Sequence, residues 1–475
     1  MGARVSARFP TEEEIIKLNS CIENVRATID SDKRKGERRN CCVVTYGCQQ
    51  NEADSEQISG MAVEMGYNLT DFTDQADLII VNTCAVREHA EKKVFSITGG
   101  YKHLKDANPE LVIGICGCMV SEEKNAEKFK KSYPYVDFTF GTESLWKFPE
   151  ILDVVINGKK RSFVKNTGDE VICERTPTVR KSSFTSWLSI MYGCNNFCTY
   201  CIVPYVRGRE RSRRPEDILR EAKQLVSEGY KEITLLGQNV NSYGKEYGVS
   251  FASLIKQIAE LDGDFIIRFM SSHPKDMSDE LIQVISECPK IERHIHLPFQ
   301  SGSTRVLKLM NRHYTREDYL ALIHRIREKN PDISLSADVM VGFPGETEED
   351  FEDTLNLIRE VRFDMMFSFI YSPRDGTPAA KEVQMSEKEK TDRYLRLLKV
   401  QEPIAEEMAQ RFVGRTEKVL VEGRSKNNKE MFTGRDSGLK IVLFEGNDEM
   451  TGRFADIEIT EAHAFALYGK VIKVY

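Results

Sequence analysis

No run of eighteen apolar residues occurs in this sequence, so no segment can cross a bilayer as a helix. The first ten residues lack the apolar stretch of a secretory signal. There is no excess of positive charge. The formal net charge is −7, so any RNA contact must come from local basic patches. No long internal repeat or low-complexity tract interrupts the chain. What remains is the balance of a soluble globular protein, 40% hydrophobic and 30% charged. Its 475 residues suffice for two or three domains. These absences point to a cytoplasmic protein with no membrane partner. Met1-Gly2-Ala3-Arg4-Val5-Ser6 fits the N-myristoylation pattern, which is short enough to arise by chance.

Against this background, twelve cysteines need a reason. In a reducing compartment a disulfide framework is a poor one, and metal or redox chemistry is the better one.

Residues 1–39 read as an N-terminal arm, with a helix over 12–29, a basic linker over 33–39 and the character of a solvated leader. From residue 40 apolar runs at 41–46, 78–82, 111–116 and 136–140 alternate with helix-forming stretches. That alternation predicts βα units around a parallel sheet, over residues 40–166. A linker follows at 167–180. Residues 180–410 repeat the pattern, with strands expected at 187–191, 232–236, 265–270, 294–298, 334–341 and 365–371. Six βα units suggest a partial barrel whose site lies at the C-terminal ends of its strands. Residues 411–475 carry β patterning at 418–422, 440–444 and 454–459, suggesting a small β-barrel. The fold class is therefore α/β with a C-terminal β-barrel.

The sharpest motif is Gly193-Cys194-Asn195-Asn196-Phe197-Cys198-Thr199-Tyr200-Cys201, a CxxxCxxC on the loop after the first strand of the expected barrel. Three thiolates can hold three irons of a 4Fe–4S cluster and leave the fourth open to a small ligand. A zinc site would want a fourth Cys or His at short spacing, and none follows closely. Cys48, Cys84 and Cys118, separated by 36 and 34 residues, each follow the end of an expected strand. Strand ends of a parallel sheet lie on one edge, where ligands bind, so these three can share one site. Cys21, Cys41, Cys42, Cys116, Cys173 and Cys288 read as small hydrophobes.

The cysteine loop resembles the signature of the radical S-adenosylmethionine superfamily, including Tyr200 before the last cysteine. Tyr46-Gly47-Cys48-Gln49-Gln50-Asn51, Asn82-Thr83-Cys84-Ala85-Val86-Arg87-Glu88 and Gly117-Cys118-Met119 look like the cluster segments of its methylthiotransferases. Val203-Pro204-Tyr205-Val206-Arg207-Gly208-Arg209-Glu210-Arg211-Ser212-Arg213, Leu236-Gly237-Gln238-Asn239 and Val341-Gly342-Phe343-Pro344-Gly345-Glu346-Thr347 extend the likeness. The tail resembles the TRAM domain, an RNA-binding β-barrel. The likeness spans roughly residues 40–475. Gln50, Ala85-Val86 and Asp375 depart mildly from the most similar branch.

The resemblance implies two 4Fe–4S clusters, one on Cys194, Cys198 and Cys201 and an auxiliary one on Cys48, Cys84 and Cys118. It implies two S-adenosylmethionine per turnover. One methylates a sulfur on the auxiliary cluster, and the other yields a radical that takes hydrogen from carbon 2 of an adenine. Cofactor contacts are expected at Tyr200, Gln238, Asn239 and Gly342, the last opening a loop before a helix. RNA contacts are expected at Arg207, Arg209, Arg211, Lys418 and Arg424. The implied substrate is N6-dimethylallyladenosine next to the anticodon in the tRNA stem-loop. Threonylcarbamoyl adenosine or a ribosomal-protein aspartate is the alternative within the family, and a non-catalytic iron–sulfur RNA-binding protein is the alternative outside it. An electron donor such as flavodoxin or ferredoxin is expected, and a monomer. No general base can be assigned. His273, His294, His296 and His313 are possible, although each is more often structural.

Overall fold

The computed structural model describes residues 8–34, 36, 39–85, 88–168 and 171–475. The myristoylation match lies outside the described residues. The chain divides into two compact units, Met1–Lys181 with Met191–Asn195 and Ile202–Arg213, and Ser182–Ile190 with Asn196–Cys201 and Arg214–Tyr475.

In the first unit, β1 (Asn40–Tyr46), β2 (Asn68–Leu69), β3 (Leu78–Thr83), β4 (Val112–Gly117), β5 (Phe138–Phe140) and β6 (Ser162–Phe163) form one sheet. Its order is β2-β1-β3-β4-β5-β6 and every pairing is parallel. The central strands are apolar on both faces because helices cover both: all six residues of β3 are buried. The helix Glu12–Arg34 belongs to this core. Its Val25 and Ile29 are buried against Cys41, Ile58, Met61 and Leu152. The solvated-leader expectation therefore fails over this stretch, because one face of the helix carries the apolar residues that the sheet's outer layer needs.

β7 (Thr185–Ser189) opens the second unit, while the short antiparallel pair β8 (Met191–Tyr192) and β9 (Arg211–Ser212) belongs to the first. β10 (Glu232–Leu236), β11 (Ile266–Phe269), β12 (His294–His296), β13 (Ser334–Val341) and β14 (Met365–Ile370) follow. They pair in two parallel groups, β11-β10-β7 and β12-β13-β14, linked by an Ile267–Ile291 bridge. This is an open six-stranded βα barrel. β15 (Thr416–Arg424), β16 (Phe432–Arg435), β17 (Ile441–Phe444), β18 (Phe454–Ala462) and β19 (Leu467–Val474) close a separate small barrel in the order β15-β16-β17-β19-β18.

Within the second unit the small barrel docks on the N-terminal ends of the large barrel's strands. Arg411 donates to Asp364 at 2.8 Å and Lys418 to Asp264 at 2.7 Å. The Arg268 guanidinium reaches the Asp436 carbonyl at 2.8 Å. Asp264 and Asp364 each sit just before a barrel strand. That end of a βα barrel serves stability, and the opposite end serves chemistry. Among the described residues, no helix is long and apolar enough to cross a membrane.

Candidate functional site

Cys48, Cys84 and Cys118 follow β1, β3 and β4, three adjacent strands of one parallel sheet. A buried amide network aligns their ends. The Cys48 N–H donates to Asn51 Oδ1 at 3.2 Å. Asn51 Nδ2 donates to Asn82 Oδ1 at 3.0 Å and to the Thr83 carbonyl at 3.2 Å. Asn82 Nδ2 returns bonds to the Asn51 carbonyl and to Ser55 Oγ, both at 2.9 Å. The Thr83 hydroxyl reaches the Cys116 carbonyl at 2.8 Å, tying β3 to β4. Gly117 takes φ +96°, and a Cβ there would fall 2.4 Å from Asn82 Oδ1. Only glycine lets the chain turn so close to this network.

The thiols are electrostatically distinct. A hydrogen bond from Cys84, with help from Arg207, brings the thiol of exposed Cys48 down to about 5. Burial raises the Cys118 thiol, and Arg207 opposes that rise. Arg207 Nε donates to Cys118 Sγ at 3.2 Å, and Arg207 Nη2 pairs with Asp54 Oδ2 at 2.8 Å. By contrast, burial raises Cys21 and Cys42 to about 11, as expected of inert packing thiols. Among the described residues, no three or more His, Cys, Asp or Glu converge tightly enough to hold a single metal ion. One zinc would draw thiolates to about 2.3 Å from a common centre. A cubane instead takes one thiolate at each iron corner. The donor set, thiols after three neighbouring strands with one already acidic, fits a 4Fe–4S cluster.

The CxxxCxxC loop follows β8. Gly193 has φ +75°, and a Cβ there would lie 2.0 Å from the Arg209 carbonyl. Cys194 N–H donates to the Gly208 carbonyl at 3.2 Å. In the second unit, Thr199 N–H binds the Met310 carbonyl at 3.1 Å, and Asn311 Nδ2 binds the Asn196 and Phe197 carbonyls at 3.2 and 3.1 Å. Arg312 Nη1 lies 3.5 Å from Cys198 Sγ and 3.4 Å from the Tyr200 hydroxyl, while Nη2 is anchored on the Pro298 carbonyl at 2.8 Å. Within the second unit, residues 196–199 of the loop are thus held on the Met310–Arg312 turn, while Cys194 is held on Gly208 in the first.

The other expected positions divide. Asn239 is buried, with Nδ2 on Asp276 Oδ2 at 2.8 Å and a buried Oδ1 that has no hydrogen-bond partner. The Gly342 N–H is taken by Glu346 Oε1 at 3.2 Å, and Arg393 neutralises that carboxylate at 2.5 Å. The next helix starts at Glu348, with a capping box of Thr347 and Asp350. The chain's own side chains thus bond the Gly342 N–H and cap the start of this helix. His294 and His296 both bond the Ser336 hydroxyl, at 2.7 and 2.8 Å, and are structural. Burial and nearby Arg312 push His273 far below its ordinary range, so it is neutral.

Arg207 and Arg211, expected to contact RNA, are buried and bonded within the first unit. Arg207 is 7% exposed and spent on Asp54 and Cys118, and Arg211 donates to the Arg207 and Arg209 carbonyls. Arg209 is exposed. Lys418 pairs with Asp264 and Arg424 with Asp448 at 2.9 Å, both at the surface. Such exposed pairs are weak enough to exchange for phosphate. Sequence reasoning did not single out Asn51, Asn82, Asp54 or Arg312. Asn51 at the third position after Cys48 is the one local signal, a capping pattern.

Residues 188–358 match the Radical SAM superfamily, 40–141 the Uncharacterized protein family UPF0004, and 410–472 the TRAM domain. Among solved structures, the fold is similar to a radical S-adenosylmethionine methyltransferase, TsrM, from Kitasatospora setae, with TM-score 0.54, 13% identity, and 72% of this chain and 77% of that one covered. It is also similar to the cobalamin-dependent S-adenosylmethionine radical enzyme OxsB, with TM-score 0.51, 14% identity, and 78% and 56% covered. Proteins named tRNA-2-methylthio-N(6)-dimethylallyladenosine synthase are far more similar in sequence. That of Acetivibrio thermocellus is 48% identical, covering 98% of each chain. That of Clostridium tetani is 50% identical over 95% of this chain and 100% of its own. With about half its residues shared along almost the whole length of these relatives, the chain belongs to the tRNA-2-methylthio-N(6)-dimethylallyladenosine synthase family of radical S-adenosylmethionine enzymes.

Proposed function

We propose that this chain methylthiolates carbon 2 of N6-dimethylallyladenosine next to the tRNA anticodon, with two 4Fe–4S clusters and two S-adenosylmethionine per turnover. The observation that carries the reading is the second cysteine triad. One cluster suffices to cleave S-adenosylmethionine, so Cys48, Cys84 and Cys118 at three neighbouring strand ends need a further role. When bound, the cluster of the CxxxCxxC loop supplies the electron for that cleavage, and the other supplies sulfur.

The chain's residues hold and orient. Cys194, Cys198 and Cys201 ligate the first cluster, and Arg312 keeps the Cys198 thiol in place. Asn51, Asn82 and Gly117 keep the three strand ends in register, so that Cys48, Cys84 and Cys118 ligate the second. Tyr200, Gln238 and Asn239 line the end of the large barrel where S-adenosylmethionine is expected. Exposed Arg209, with Lys418 and Arg424 on the tail barrel, offers charge to the tRNA backbone. A flavodoxin- or ferredoxin-type donor to a monomer completes the reading.

The test is anaerobic reconstitution with S-adenosylmethionine, a reductant and tRNA lacking the modification, followed by mass spectrometry of nucleosides. The methylthio derivative of N6-dimethylallyladenosine is expected. A methylthio group on threonylcarbamoyl adenosine alone, or none on any nucleoside, would overturn the substrate.

A further inference from the structure

Arg207 comes from a stretch of arginines that reads as an RNA-binding run, yet its guanidinium is turned inward. Its Nε donates to Cys118 Sγ at 3.2 Å, and its Nη2 is clamped by Asp54 Oδ2 at 2.8 Å. Asp54 is itself oriented, since its Oδ1 accepts from Gln50 Nε2 at 3.0 Å. Both ends of the ion pair are about 6% exposed at the side chain. The Arg207 backbone is held by its N–H on the Val203 carbonyl at 2.9 Å and by Arg211 on its own carbonyl at 3.0 Å. Cys118 packs with Ala85, Ile202 and Val206, an apolar wall that keeps water from the sulfur.

A buried ion pair of this kind brings little stability, because desolvating both charges offsets their attraction. A purely structural role could be filled by apolar side chains. The geometry has a direction, however. The guanidinium faces the thiol and the carboxylate lies behind it. Arginine cannot lose its proton, so a fixed positive donor sits on one sulfur of the triad. Hydrogen bonds to cluster sulfurs and local charge set the reduction potential of an iron–sulfur centre. We infer that Arg207 is a positioning residue for the first-domain cluster, and that its guanidinium, oriented by Asp54, donates to the Cys118 thiolate and raises the potential of that cluster. A donor on the sulfur favours the reduced state, which carries one more negative charge. Asp54 tempers the effect by placing a compensating charge behind the donor.

This inference rests on the reading that Cys48, Cys84 and Cys118 hold a cluster. The experiment uses the full chain carrying Cys194→Ala, Cys198→Ala and Cys201→Ala, so that only the first-domain cluster is seen. Redox titration followed by electron paramagnetic resonance is run on this parent, on added Arg207→Gln and on added Asp54→Asn. At the parent's midpoint the reduced-to-oxidised ratio should fall about tenfold with Arg207→Gln, which is ~59 mV for one electron. It should rise severalfold with Asp54→Asn, which keeps the donor and removes the opposing charge. Equal potentials in all three proteins, or shifts of the same sign, would overturn the inference. If Arg207→Gln binds no iron, Asp54→Asn decides alone, and an unchanged or lowered ratio refutes it. A parent that takes up no iron would instead refute the cluster reading.

Discussion

Cysteine is one side chain, and its neighbours give it different chemistry along this chain. Cys41, Cys42 and Cys116 lie inside strands, and burial raises their thiols. Cys48 stands at a helix start, hydrogen-bonded to Cys84, and its thiol falls to about 5. What separates the two kinds is position relative to a strand end, which the sequence pattern reveals. The residues that align those ends are less visible. Gly117 is one: φ +96° and the 2.4 Å approach to Asn82 Oδ1 exclude any Cβ. Gly117→Ala should cost about 1–3 kcal/mol from backbone strain alone and displace Asn82. Iron content after reconstitution should drop toward that of a one-cluster protein, with a lower urea midpoint for the first unit. Full iron uptake and an unchanged midpoint would show that the turn tolerates a side chain.

At the scale of elements, the helix Glu12–Arg34 is part of the first unit's core. Ile29 is 2% exposed among Cys41, Met61 and Leu78. Ile29→Ala should destabilise the unit by about 2–4 kcal/mol, as large-to-small core substitutions do. Denaturant unfolding would check it, and a change below about 0.5 kcal/mol would mean a loosely held helix. The tail barrel is also part of the second unit's packing. Its deletion would expose Arg268, Asp364 and the strand ends they cover, so a truncated chain would lose packing as well as any surface charge. That docking face titrates near neutrality. Burial raises Glu417 to about 7, aided by Asp436, and burial raises Asp436 to about 6. A raised carboxyl is held protonated by folding. The stability it permits is full below the ordinary carboxylate range and is lost as pH rises through 6 to 7. The unfolding free energy should therefore fall by up to roughly 4 kcal/mol between pH 5 and pH 8, less whatever solvent screens at partly exposed Glu417. Glu417→Gln should flatten the profile, and an equally steep profile in that variant would refute the assignment.

At the scale of the whole molecule, the two triads lie in different parts of the chain and should separate by function. Reconstitution should give about eight irons per chain, and about four when Cys194, Cys198 and Cys201 are all alanine. A Cys48→Ala protein should still release 5′-deoxyadenosine from S-adenosylmethionine while forming no methylthio product. Normal product from that variant, measured by nucleoside mass spectrometry, would remove the first-domain triad from the reaction.

By itself the sequence determined the α/β class, the strands at 232–236 and 334–341, and the positions of six cysteines at strand ends or in one loop. These features are local: side-chain period, turn residues and motif spacing are written within a few positions. The two-residue strands β2 and β6 were not legible, because they carry too little pattern and are recruited by their neighbours; β16 and the eight-residue β19 were missed as well. Tertiary structure alone decided the fate of the charges. Arg207 and Asp54 are 153 positions apart, and Arg268 finds the Asp436 carbonyl 168 positions away. An arginine carries the same side chain whether it meets phosphate or a buried carboxylate. Which of the two it meets depends on long-range packing that places a partner beside it, and no short window of sequence contains that partner.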